Sequence, residues 1–382
     1  MERMKTLSKK AIQQDNERLQ RMLENIHPNP YKYISQKDFR ILLENETKNV
    51  KNIRDYALGI MVALARLNDA HTYLKLSYEV VGKESFMFKF RFIGDGYYLM
   101  KSSDTLSDYL GSKLTAINNH SITEIEKAIS PLIAKENETS VRHYLPSMLM
   151  EPIILDFTNL RTNKNIILQL ENKGKKESVE IAPEDYQNKM ISLFEKIPNI
   201  PETLIVKDIY WFKELHNLNA FYFQYNDCEE RKDLTIREVI KHFKDSNLTN
   251  LIIDLRNNRG GDSDILNPFI KFLERHNGKY KVIVLTGADT YSSATINLLE
   301  LSSLPNTISV GGIPHGNPTH YGEGASFILP NSGLKIHSSS RTFWFEDYEL
   351  GETFKPTYIV NTKIEGLMNG KDAQMEYLSK LL

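Results

Sequence analysis

The sequence predicts an α/β protein in which a small helical unit and a β-rich module precede an α/β core. Three observations support this prediction. Apolar residues recur at helical spacing before residue 70, short strand-like segments dominate residues 81–190, and strand-like and helical segments alternate after residue 205. Such alternation is typical of a largely parallel sheet covered by helices. We therefore predict a helical unit over 1–80, the β-rich module over 81–190 and the core over 205–382.

The helical unit is predicted from two patterns. The spacing Ser-x-x-Asp that begins at Ser35 is a signal for a helix start. Apolar residues spaced as on one helix face follow at Ile53, Ala57, Ile60, Met61, Leu64 and Leu67.

The β-rich module is predicted from short runs such as SFMFKFRFI and GYYLM, which are typical of strands. The segment LGSKLTAINNHSITEIEKAISPLI predicts a strand, a turn at Asn118 and Asn119, and an amphipathic helix. Further strands are predicted over 166–170 and 178–181. The charged, proline-marked residues 182–204 are the predicted linker to the core.

The core is predicted from its alternating elements. Strands are expected over 220–225, 251–255, 281–286 and 307–310, and helices over 234–243, 265–273 and 292–301.

Composition excludes several classes of protein. The 382 residues contain 48 Lys plus Arg against 49 Asp plus Glu, and this balance indicates no nucleic acid partner. Cys228 is the single cysteine, so no internal disulfide forms, and no His-Glu-x-x-His pattern occurs. We expect neither a metal nor a cofactor.

The sequence as written predicts no membrane span and no secretory signal. Its longest apolar stretch, residues 57–67, is too short to cross a bilayer and contains Arg66. The first ten residues lead into a polar segment, not an apolar one. The expected location is cytoplasmic, or extracellular or cell-surface if a signal was trimmed, and the oligomeric state is open.

Two loops of the core carry residues suited to chemistry. In LIIDLRNNRGGDSDIL, a strand ends in a loop where Gly260 and Gly261 present backbone amides near a helix start, which suits an anion or an oxyanion. In KVIVLTGADTYSSATINLLEL, Ser292 and Ser293 stand at the start of a helix, where amides stabilise negative charge. A plain tight turn and an ordinary helix cap are the alternatives.

A candidate general base lies upstream. His71 in Asn-Asp-Ala-His-Thr follows the helical unit, and histidine titrates near neutral pH. A histidine that interacts with the helix C-terminus or lies on the surface is the alternative. Of the nine other histidines, His315 and His320 are nearest to Ser292 in sequence.

The order of these segments resembles a known family. DLRNNRGGDS, TYSSAT, SVGGIPHGNPTHYGEG and NDAHTYL are similar to the successive motifs of the tail-specific and tricorn-core serine peptidases. HPNPYKYIS, LGSKLTAINNHSI and ILPNSGLKIHSSS extend the similarity over most of the chain. The resemblance implies a crotonase-like catalytic core, a PDZ-like module over 81–190, and endopeptidase activity on peptides or protein tails.

The resemblance also implies roles for single residues. Ser292 matches the nucleophile, and the backbone N–H groups of Ser293 and of one of the pair Gly260 and Gly261 match the oxyanion hole. Asn317 stands where the tail-specific branch has its catalytic lysine, and an amide cannot accept the proton.

The chain therefore resembles the tricorn-like branch, in which an upstream histidine is the base. His71 matches that histidine. The family's supporting acid shortly precedes a Pro-Asp pair, and here Glu349 and Glu352 precede Pro356-Thr357, with Glu349 ranked slightly higher.

Two other functions share some of these features. A catalytically silent peptide-binding protein would keep the fold, and two features favour it: Asn317 in place of lysine and the imperfect acid motif before Pro356. An acyl-CoA enzyme would share the oxyanion loop but would give no reason for a serine at a helix start together with an upstream histidine.

Overall fold

The computed structural model describes residues 6–382 and divides them into two compact units. The first unit comprises the described residues up to Glu195 together with His320–Phe343, and the second comprises Lys196–Thr319 and Trp344–Leu382. The described part of the predicted segment 1–80 and the segment 81–190 fall in the first unit, and 205–382 falls in the second except for His320–Phe343. The division into three domains stays a prediction. The first five residues, on which the predicted lack of a secretory signal partly depends, lie outside the described part.

Side chains cap several of the helices at their first turn. Ser35 Oγ accepts a hydrogen bond from the Asp38 N–H, which confirms the helix start predicted there. In chain order the α-helices are α1 Lys9–Ile26, α2 Gln36–Thr47, α3 Ile53–Ala65, α4 Tyr78–Val81, α5 Ile122–Ile129, α6 Glu138–Met148, α7 Pro152–Phe157, α8 Leu193–Lys196, α9 Ile236–Asp245, α10 Asn267–Arg275, α11 Ser293–Ser302, α12 Ile364–Met368 and α13 Ala373–Leu381. Short 3₁₀ helices span Asp104–Tyr109, Ser130–Leu132, Glu202–Leu204, His216–Leu218 and Ser263–Leu266. Among residues 6–382, no helix is long and apolar enough to cross a membrane.

The strands form one large sheet in each unit, with smaller sheets in the first. In chain order they are β1 Tyr73–Lys75, β2 Glu84–Ser85, β3 Phe88–Ile93, β4 Gly96–Ser102, β5 Lys113–Ile117, β6 His120–Ser121, β7 Ile166–Asn172, β8 Lys175–Ile181, β9 Glu184–Asp185, β10 Ile191–Ser192, β11 Tyr210–Leu215, β12 Ala220–Tyr225, β13 Asn250–Asp254, β14 Lys281–Thr286, β15 Thr307–Gly311, β16 His320–Gly322, β17 Ala325–Ile328, β18 Lys335–Ser338, β19 Arg341–Phe343 and β20 Tyr358–Ile359. The predicted mixture of helices and strands is confirmed.

The first unit pairs its strands largely in antiparallel fashion. Its main sheet has the order β10-β4-β5-β7-β8, with β3 beside β4 and β6 beside β5. The predicted turn at Asn118 and Asn119 joins β5 to β6, and both residues have positive φ, which asparagine tolerates. A three-stranded sheet of order β1-β18-β17 pairs Tyr73 with His337, so residues far apart in sequence meet just after His71.

The second unit is built on a six-stranded sheet of order β11-β12-β13-β14-β15-β20, parallel from β12 onward. Alternate residues of β12 enter two cores: Phe221 and Phe223 pack with residues of α9, α10 and α11, whereas Tyr222 packs with Leu378 of α13. Helices therefore cover both faces, as the alternating sequence predicted. Because β13 and β14 are parallel neighbours, the loops after them leave from the same edge of the sheet.

Candidate active site

Ser292 occupies a sharp turn between β14 and α11. Its backbone has φ 53° and ψ −126°, a region that residues with a Cβ avoid at a cost of about 1–3 kcal/mol. Its carbonyl accepts from the Thr295 N–H at 2.8 Å, but its hydroxyl makes no capping hydrogen bond. The ordinary helix-cap alternative is thus not supported. Strain of this kind concentrates at functional residues.

The strain predicts a difference between two variants of Ser292. Ser292→Ala keeps the Cβ and its strain, whereas Ser292→Gly removes both. We expect Ser292→Gly to unfold with a free energy about 1 kcal/mol higher than Ser292→Ala, after allowance for the greater freedom of glycine in the unfolded chain. Urea unfolding of the two proteins measures this difference. A glycine variant less stable than the alanine variant would show that the turn is relaxed.

Gly260 and Gly261 lie against this turn. Their φ values are 103° and 133°, which glycine adopts freely. A Cβ on Gly260 would stand 2.9 Å from Ser292 Cβ and 3.0 Å from the Ser293 nitrogen. Ser293 Oγ donates to the Gly261 carbonyl at 2.7 Å. The structure therefore brings together the two loops that the sequence singled out.

Asn258 links these two loops by hydrogen bonds. Its Oδ1 accepts from the Gly260 N–H at 2.8 Å, and its carbonyl accepts from the Tyr291 N–H at 3.0 Å. Its Nδ2 donates to the Tyr225 carbonyl at 2.9 Å, and the residue is fully buried. Because the Gly260 N–H already donates a hydrogen bond to Asn258 Oδ1, the Gly261 N–H is the better candidate to bind an oxyanion. The sequence did not single out Asn258, because nothing local distinguishes it from its neighbour Asn257.

The packing at Gly260 predicts a selective loss of activity. In Gly260→Ala the new methyl group would push Ser292 and the Ser293 N–H out of place, and loss of one oxyanion donor costs about 10²-fold or more in rate. Gly174→Ala is the matched control, because Gly174 also has positive φ (80°) but an added Cβ would meet no atom within 4 Å. Peptide cleavage rates and thermal unfolding of both variants check this. Equal activities would mean that the contact is unimportant.

Asp69 anchors the loop that carries His71, between α3 and β1. Its Oδ1 accepts from the His71 N–H at 2.9 Å. Its Oδ2 accepts from Thr72 Oγ1 and Ser339 Oγ, each at 2.6 Å, and lies 3.0 Å from His27 Nε2. Burial opposes ionisation of Asp69, but these hydrogen bonds and the charge of His71 outweigh it and lower its pKa. The buried carboxylate therefore fixes the His71 backbone.

The His71 ring lies beside a second carboxylate. Its Nδ1 is 3.3 Å from Glu136 Oε1 and 4.0 Å from Asp69 Oδ1, and the ring stacks on His320 with centroids 5.5 Å apart. Burial lowers the pKa of His71, but the hydrogen bond and charge of Glu136, the charge of Asp69 and a main-chain hydrogen bond at Tyr321 together raise it. With its side chain 11% exposed, His71 is not the surface histidine of the alternative interpretation.

Asp69, His71 and Glu136 each have a side-chain atom able to bind a metal ion, and these three atoms lie within 4.8 Å of one another. A divalent cation there would have to displace the donors that already occupy both oxygens of Asp69. The hydrogen bonds explain the cluster without an ion, so the absence of a metal stays our prediction. Cleavage should proceed at the same rate after treatment with EDTA, and loss of activity that zinc restores would contradict this.

His315 lies beside the Ser292 segment in the second unit. Its ring stacks on Tyr291 with centroids 4.2 Å apart and planes 10° apart. Its Nδ1 is 2.5 Å from the Ala288 carbonyl oxygen, so Nδ1 carries a proton and donates to it. His320, the other histidine near Ser292 in sequence, belongs to the first unit and stacks on His71.

The two predicted supporting acids lie on an exposed loop of the second unit. Glu349 and Glu352 are both exposed, and the Glu349 N–H donates to Glu352 Oε2 at 3.1 Å. Asn317, which stands at the lysine position of the tail-specific branch, is buried.

Comparison with known proteins finds a family model that matches part of the second unit. Residues 219–278, which include the Gly260 and Gly261 loop, match the model of peptidase family S41. No curated protein matches the sequence.

Solved structures share the fold. Mature CPAF complexed with lactacystin has a TM-score of 0.72 at 12% identity, with 97% of each chain covered. The photosystem II D1 C-terminal processing protease has a TM-score of 0.50 at 11% identity, with 98% of each chain covered. These matches and the family model confirm the resemblance seen in the motifs. The segment that carries the glycine loop is therefore similar to peptidase family S41, and the chain has the fold of these solved structures.

Proposed function

We propose that this protein is an endopeptidase that cleaves peptides or protein tails through an acyl-enzyme on Ser292. The observation that carries the proposal is the strained Ser292 turn packed against Gly260. In the proposed reaction, His71 takes the hydroxyl proton while Ser292 Oγ attacks the peptide carbonyl carbon. His71 then protonates the leaving amine, and water hydrolyses the resulting ester.

The oxyanion of the tetrahedral intermediate requires donors near Ser292. We propose the N–H groups of Ser293 and of one of the pair Gly260 and Gly261, with Gly261 favoured because Asn258 already binds the Gly260 N–H. The glycine loop and the Ser292 turn lie in direct contact, which supports this assignment.

Two properties of His71 support its proposed role as base. It is a mostly buried imidazole, and carboxylates face its Nδ1. This arrangement of base and orienting acid is common to serine hydrolases of unrelated fold. The resemblance assigns the orienting acid to Glu349 or Glu352, and that assignment stays a proposal.

His315 is the second candidate base. Its stacking on Tyr291, next to Ser292 in the chain, and its Nδ1 fixed by the Ala288 carbonyl favour it. We rank it below His71 because its Nδ1 faces a neutral carbonyl oxygen, which stabilises an imidazolium less than a carboxylate does.

The proposed activity is tested with an unfolded protein such as reduced casein as substrate. We expect wild type to release peptides detected by mass spectrometry and Ser292→Ala to release none. Binding of casein without cleavage by folded wild type would support the silent peptide-binding protein. A CoA-dependent thermal shift without cleavage would support the acyl-CoA enzyme.

A further inference from the structure

We propose that Glu136 is the positioning residue that orients His71 and stabilises its protonated form during the reaction. This inference rests on the proposed function, because it assumes that His71 is the base. It gives the orienting role to a residue of the segment predicted as the PDZ-like module, and not to Glu349 or Glu352.

The backbone of Glu136 is fixed immediately before α6. The Glu136 N–H and the Asn137 N–H each donate to Ser140 Oγ at 3.3 Å, and Asn137 Oδ1 accepts in return from the Ser140 N–H at 3.1 Å. This capping box defines the start of the helix. The Glu136 side chain is 5% exposed and brings its Oε1 to 3.3 Å from His71 Nδ1. A buried carboxylate so placed requires a positive or donating partner.

Two carboxylates face His71, and they have different roles. Asp69 is committed to the His71 N–H, Thr72, Ser339 and His27, and its Oδ1 is 4.0 Å from the ring nitrogen. Glu136 is the nearer acid, at 3.3 Å. Asp69 therefore holds the loop, and Glu136 holds the ring.

The position of Glu136 determines which ring nitrogen accepts the proton. A carboxylate at Nδ1 keeps a proton there and leaves the lone pair on Nε2. When Nε2 takes the serine proton, the positive ring is balanced by Glu136. Other titratable groups nearby include His320, stacked on His71, Tyr33, whose pKa is raised by burial and by Glu136, and His27, whose Nε2 lies 3.0 Å from Asp69 Oδ2.

The contact between Glu136 and His71 predicts how activity depends on pH. The base must be neutral to act, so the rate rises with pH through the pKa of His71, which lies above its ordinary value. In Glu136→Gln the burial that lowers this pKa remains, while the largest contribution that raises it is lost. In a plot of rate against pH, we therefore expect the rise on the acid side to move to lower pH.

The experiment compares Glu136→Gln with Glu138→Gln. Glu138 lies two residues further on, and its side chain is 79% exposed. The rate of Ser292 labelling by a fluorophosphonate is measured against pH for both variants. Glu136→Gln should lower the maximal rate by about 10- to 10²-fold and shift the acid limb, whereas Glu138→Gln should match wild type.

A second measurement is independent of activity. With histidines isotopically labelled in the Ser292→Ala background, NMR titration reports the His71 pKa directly. We expect a value above about 6.5 with Glu136 and a lower value in Glu136→Gln. If Glu136→Gln does not fold, Glu136→Asp, which keeps the charge at a greater distance, should still lower the His71 pKa.

Several outcomes would overturn the inference. One is an unchanged His71 titration in the folded Glu136 variants. Another is a shift of the acid limb in Glu349→Gln or Glu352→Gln but not in Glu136→Gln. Failure of the proposed function looks different, because wild-type Ser292 would then remain unlabelled at every pH.

Discussion

We expect His71→Ala to lower the rate of Ser292 acylation by about 10²- to 10⁴-fold, the contribution of a general base, if His71 has the proposed role. The reason is that the serine hydroxyl is a poor nucleophile without a group to take its proton. The variant also leaves the buried carboxylates of Asp69 and Glu136 without the ring that faces them, so its melting temperature should fall. Labelling rates are therefore compared at a temperature at which both proteins are folded.

His315→Ala is the informative comparison, since His315 lies beside the Ser292 segment. We expect it to lose less activity than His71→Ala. If His315→Ala loses as much or more while remaining folded, the base is His315 and the role of His71 is structural.

We expect Asp372→Ala to lower the free energy of unfolding by about 3–5 kcal/mol, because one partner of a buried ion pair is removed. Arg256 follows β13 and lies between two buried acids: its Nη2 is 2.6 Å from Asp254 Oδ2, and its Nη1 is 2.8 Å from Asp372 Oδ1. Asp372 also caps α13 and accepts from Thr203 Oγ1 at 2.7 Å. The substitution would leave the Arg256 charge only partly balanced.

The same network makes stability depend on pH. Burial alone would raise the pKa of Asp372, but the charge and hydrogen bonds of Arg256 outweigh it and lower the pKa. The contribution of Asp372 is therefore present above the ordinary aspartate pKa and is lost as pH falls through its lowered value in the folded protein.

Urea unfolding at neutral pH measures the effect of Asp372→Ala. Glu376→Gln is the control on the same helix, because the Glu376 pair with Lys371 is exposed and spans 3.7 Å. The free energy of unfolding of Glu376→Gln should lie within about 0.5 kcal/mol of the wild-type value. A loss in Asp372→Ala as small as that of the control would mean that the buried network contributes little.

Local patterns were enough to predict the elements of the second unit. The predicted strand over 251–255 is β13, Asn250–Asp254, and the predicted helix over 292–301 is α11, Ser293–Ser302. The one-residue difference at Ser292 has a physical cause, since its positive φ excludes it from the helix. The adjacency of the Gly260 and Ser292 loops followed from two parallel strands that are close in sequence.

Long-range contacts were not predictable in this way. Residues 320–343 belong to the first unit, because β18 pairs with β1 across more than 250 residues, and no local pattern encodes that pairing. For the same reason the sequence did not reveal Glu136 or Ser339 near His71. The local sequence around each residue is ordinary, and only its burial near His71 or Asp69 in the folded protein distinguishes it. Residues next to a recognisable motif were found, and residues brought to it by tertiary contacts were missed.

The most direct test of the central claim is fluorophosphonate labelling of wild type and Ser292→Ala, read by intact mass and peptide mapping. We expect a single adduct on Ser292 in wild type and none in the variant. No adduct on folded wild type, or an adduct on another residue, would contradict the claim that Ser292 is the activated nucleophile.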